Sequence, residues 1–78
     1  MAETLRHLVD AHRGGMPLHH YAERVLGLGA KTLYRLMRGL TRRGPQPGTV
    51  SLLSRKLRIS EARVRRAIAA SRAAAESA

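Results

Sequence analysis

The chain has no cysteine, tryptophan or phenylalanine, and only two tyrosines among its 78 residues. Without cysteine there is no disulfide framework, no cysteine-type zinc finger and no thiol nucleophile. With Tyr21 and Tyr34 as the whole aromatic set, it lacks the stacking platforms on which single-stranded nucleic-acid readers hold bases. No apolar run approaches the roughly 18 residues of a membrane span. The N-terminal MAETLRHLVD is amphipathic and acidic, unlike a signal peptide. Acids are scarce as well, five against fifteen Lys and Arg. They are scattered rather than paired, and the glycines do not lead into the Lys-Ser/Thr pair of a phosphate-binding loop. An enzyme is therefore not expected, nor a cofactor. His7, His12, His19 and His20 lack acidic or sulfur ligands at metal-site spacing, so they read as ordinary surface or half-buried histidines.

What is present is positive charge, and it is segregated. Residues 1–29 balance Arg6, Arg13 and Arg24 against Glu3, Asp10 and Glu23. The entire net charge of +10 therefore falls in residues 30–78. A sequence pI near 11.8 favours a polyanionic partner. A basic surface kept for solubility does not require such a step in charge; a half of the molecule that faces phosphates does. A small ribosome-associated protein remains the bland alternative. All the cations except Lys31 and Lys56 are arginine. That suits phosphate or guanine recognition, but an Ala- and Gly-rich composition from a GC-rich genome gives the same bias. Length leaves room for one small domain, near the lower limit for independent folding, where dimerisation would help. The expected compartment is a reducing cytoplasm.

The apolar periodicity predicts five short helices and no strand, an all-α domain spanning residues 1–78. The first runs from about Glu3 to His12, with Leu5, Leu8, Val9 and His12 on one face, and Gly14-Gly15 ends it. The second begins with Pro17 in its first turn and reaches about Leu26, with Leu18, Tyr21, Ala22 and Val25 inward. Gly27-Leu28-Gly29 forms a turn. The third helix runs from Ala30 to Met37 or Arg38 and closes at Gly39. Residues 40–49 read as a flexible loop rich in proline and glycine. A fourth helix is expected from about Val50 to Leu57 with Thr49 as N-cap. A fifth is expected from Glu61 to about Ala75, capped by Ser60, with a frayed AAAESA end.

In the third helix, Leu33, Leu36 and Met37 cluster on one side at 100° per residue. Lys31, Arg35 and Arg38 cluster opposite, with Thr32 and Tyr34 on the flanks. A helix, a tight glycine turn and a second helix of this kind can press one helix into the major groove of DNA. On that reading Ala30, Lys31, Thr32 and Arg35 meet base edges, with Arg35 or Lys31 suited to guanine O6/N7. Tyr34 and Arg38 hold phosphates, as do Arg42 and Arg43 of the following loop, or the loop reaches a minor groove. The start of the second helix near His19 offers one more phosphate contact. A solvated helix face is the plain alternative.

Taken together, Ala22, the turn glycine Gly27, Leu28, Leu33, Leu36 and Gly39, within KTLYRLMRG and its surroundings, resemble the lambda-repressor/Cro-type helix-turn-helix family over roughly Leu5 to Ile68. The resemblance implies a sequence-specific binder of double-stranded DNA, a minimal phage- or plasmid-type repressor of Cro or immunity type. It also implies a C-terminal helix that often serves dimerisation. Val64, Ala67, Ile68 and Ser71 are the candidate dimer surface; monomer and homodimer both remain open. The chain departs from the family pattern at one point. Five residues, Glu23 to Gly27, separate Ala22 from Leu28 where the family usually has four, so either the second helix is longer or its turn is looser. The alternatives to specific DNA binding are a protein-interaction module, such as an antitoxin or anti-repressor, and a non-specific nucleic-acid binder.

Overall fold

A computed structural model describes residues 3–40 and 46–77 of the chain. Among these residues every regular element is helical: α1 (Leu5–Arg13), α2 (Leu18–His20, running on as the π-helical stretch Tyr21–Leu26), α3 (Ala30–Met37), α4 (Pro47–Leu57) and α5 (Glu61–Ser77). The expected all-helical class and number of helices hold. Arg42 and Arg43 lie outside the described residues.

The helix starts follow from local capping. Thr4 caps α1: its hydroxyl accepts from the His7 amide, and the His7 ring accepts from the Thr4 amide. Glu3 is therefore outside the helix rather than in its first turn. Burial in α1 ends at Val9, so His12, expected on the inner face, is exposed, with its Nδ1 2.8 Å from the Leu8 carbonyl. Helix α4 begins three residues before the expected Val50. Gln46 is its N-cap and Pro47 its first residue, where a missing N–H costs nothing. Thr49 is thus inside the first turn, not the cap. At the far end of α4, Arg58 takes the left-handed conformation usual for glycine (φ 57°). Ser60 then caps α5 as expected, accepting from the Arg63 amide at 3.1 Å.

The second half of α2 is wound as a π-helix over Tyr21–Leu26. A π-helical turn is an α-helix with one residue inserted. Here the Gly27 and Leu28 amides both donate to the Ala22 carbonyl, the latter at 2.9 Å. Along this stretch Leu26 is fully buried with Tyr21 and Ala22, while Val25, expected inward, is only half-buried. Gly27 then takes φ 73°, which turns the chain toward α3.

Helix α5 is the spine of the core and packs against α1, α3 and α4. Its Val64, Ala67, Ile68 and Ser71 are 0, 1, 2 and 3 % exposed. These four were the candidate dimer surface, and the structure removes them from that role. The chain covers them with its own helices, because a domain this small needs every apolar stripe for its own core. Ser71 has a further task. Its hydroxyl accepts from the Leu5 amide at 3.0 Å and donates to the Ala67 carbonyl at 3.0 Å. A residue 66 positions away thereby satisfies a free amide at the start of α1.

Gly39 fixes α3 to α5. Its φ is 70°, and a Cβ there would lie 2.7 Å from the Arg72 Cα and 2.7 Å from the Ser71 carbonyl oxygen. The two backbones approach too closely for any side chain.

Candidate nucleic-acid interface

Helix α3 divides into two faces. Leu33 and Leu36 are buried against the core, and Met37 and Ala30 are half-buried beside them. Lys31, Thr32, Tyr34, Arg35 and Arg38 are exposed. Helical geometry puts Lys31 and Arg38 at the centre of the outward face, with Arg35 on one side and Tyr34 on the other. No acid of the described residues pairs with any of these three cations. The face is therefore positive and uncompensated by any acid among the described residues.

The predicted site residues are only partly brought together. Lys31, Arg35 and Arg38 share one surface, with Thr32 on its edge close to Gly29. Tyr34 is 44 % exposed and lies on the flank of α3 that faces α1. Ala30 sits at the start of the helix, too short and too covered to reach outward. His19 is exposed on α2, its ring centroid 4.4 Å from that of His20. Among the described residues no group of His, Asp or Glu is placed to hold a metal ion, and no helix is long and apolar enough to cross a membrane.

Sequence reading did not include α1 in this surface. Arg6, Asp10 and Arg13 are spaced i, i+4 and i+7, which puts them on one face. In the fold that face lies against the Tyr34 flank of α3. The spacing was legible, but the apparent neutrality of the N-terminal half concealed its relevance. Comparison with protein-family models, with curated proteins and with solved structures finds no match to this chain.

Proposed function

We propose that the protein binds double-stranded DNA sequence-specifically through α3 and acts as a minimal repressor, occupying an operator and so blocking transcription. The observation that carries this reading is the unpaired Lys31–Arg35–Arg38 face on a helix whose opposite side is anchored by Leu33 and Leu36. A rigid, cationic helix face of about two turns matches what a major groove admits, and bidentate arginine contacts to guanine provide discrimination. The preceding glycine turn and α2 support it from behind. The apolar stripe of α5, on which a protein-interaction module could dock, is buried in this chain's own core.

Selection of binding sites from a random duplex library at about 150 mM salt, where non-specific affinity is weak, tests the proposal. An enriched site supports it. An enriched palindrome with half-sites one turn apart adds a dimer on DNA; a single half-site adds a monomeric reader. Binding without enrichment, and only at low salt, reduces α3 to a generic polyanion surface and overturns the specific reading.

A further inference from the structure

Between α1 and α3 lies a shallow cleft of about 150 Å³, rimmed by Arg6, Arg13, Arg38 and Tyr34, with Asp10 at one edge and Met37 in its wall. We infer that this cleft is a phosphate site, taking a backbone phosphodiester at the flank of the duplex read by α3; the duplex as ligand rests on the function proposed above.

The chemistry of the rim supports an oxyanion. Three guanidinium groups and a phenol surround the space, against one carboxylate. Asp10 is committed chiefly to Arg13, whose Nε lies 2.8 Å from its Oδ1; Arg13 also donates from Nη1 to the Met16 carbonyl at 3.1 Å. These two contacts fix the Arg13 side chain in place. Arg6 is held loosely, 3.7 Å from Asp10 and 74 % exposed, so it is free to turn toward an incoming anion. Arg38 has no acidic partner among the described residues. One fixed and two free guanidiniums around a space of this size suit the several acceptor oxygens of a phosphate, which arginine bonds in pairs. Tyr34 adds a hydroxyl donor. The cleft also explains how a helix from the charge-neutral half can contribute to binding. Asp10 neutralises only one of its two arginines, and α3 supplies the third cation.

The test compares three variants for duplex affinity across a salt series. Arg6→Gln and Arg13→Gln are each expected to flatten the dependence of log affinity on log salt by about one unit, with base preference kept. Arg66→Gln, which removes the same charge from α5 beside Glu3, is expected to leave the slope unchanged. Equal effects from all three variants would mean that only net charge matters, which overturns the cleft.

A second measurement separates this proposal from the functional reading. In the full chain, inorganic phosphate is titrated while the arginine Nε–Hε resonances are followed. Saturable shifts at Arg13 and Arg38, lost in Arg38→Gln, support the oxyanion site even if no duplex binds. Absence of any shift at Arg13 and Arg38, with no slope change in the variants, sinks it.

Discussion

The arginines of α1 and the cations of α3 sit on helices that touch, yet they meet different electrostatic conditions. On α1, Arg6 and Arg13 share Asp10, and just before its start Glu3 accepts from Arg63 Nε at 2.9 Å and Nη2 at 2.8 Å. On α3, Lys31, Arg35 and Arg38 have no acid at all among the described residues. The first arrangement meets part of its charge inside the chain, leaving Arg6 loosely held; the second leaves all of it available to an outside anion. Exposed pairs of the first kind contribute little to stability, and unpaired cations of the second kind contribute none. Folding stability therefore does not account for their exposure together on one face.

The largest effect is expected where the support of α3 is broken. Gly39→Ala must both adopt a left-handed φ and displace the α5 backbone, so a loss of about 3 kcal/mol is expected from strain and overpacking together, read by urea denaturation. Gly27→Ala has nearly the same φ but nothing within 4 Å of the new methyl, so only about 1 kcal/mol should be lost. Equal losses would show that the contact between Gly39 and α5 does not matter. Ser71→Ala leaves the buried Leu5 amide without its partner, and about 1–3 kcal/mol is expected by the same measurement.

The comparison itself is tested by binding. Lys31→Ala or Arg35→Ala should cost about 1–3 kcal/mol of duplex affinity and relax base preference, while the melting temperature barely moves. Arg38→Ala should weaken all sequences alike and flatten the salt slope by about one unit. If Lys31 and Arg35 variants behaved as Arg38 does, all three would be phosphate contacts, and the assignment of bases to the start of α3 would fail.

The smallest effect concerns the satisfied side. The Arg63 guanidinium holds the Glu3 carboxyl below the ordinary glutamate range, and Glu3 correspondingly holds Arg63 high. A carboxylate with a depressed pKa stabilises the fold at pH values above its unfolded pKa. Its contribution is lost as pH falls through the lowered folded value. Melting temperature should therefore fall slightly more in wild type than in Glu3→Gln over that acid interval. Parallel curves would show that the bridge adds nothing.

Much of the fold was legible because it rests on local rules. Helical periodicity placed Leu5, Leu8, Leu33 and Leu36 on inner faces, and Ser60 and Gly27 marked boundaries through capping and left-handed geometry. The cationic face of α3 followed from the same period. Other features were not local. His12 fits the inner stripe of α1 by spacing, but the core ends before it. The π-helical winding of Tyr21–Leu26 had no signature in the apolar spacing, which placed Val25 inward where the fold buries Leu26. The stripe on α5 showed apolar character without showing what covers it.

The sequence by itself determined the helical class, the segregation of charge and the composition of the two faces of α3, because these depend on residues a few positions apart. Only tertiary structure decided that α5 spends its apolar stripe on its own chain and that Ser71 completes the start of α1. It also decided that Gly39 must be bare against α5, and that arginines from the neutral half meet Arg38 around one cleft. Each of these depends on contacts between segments distant in the chain, where burial, steric room and shared charge are set by which helices come to lie side by side.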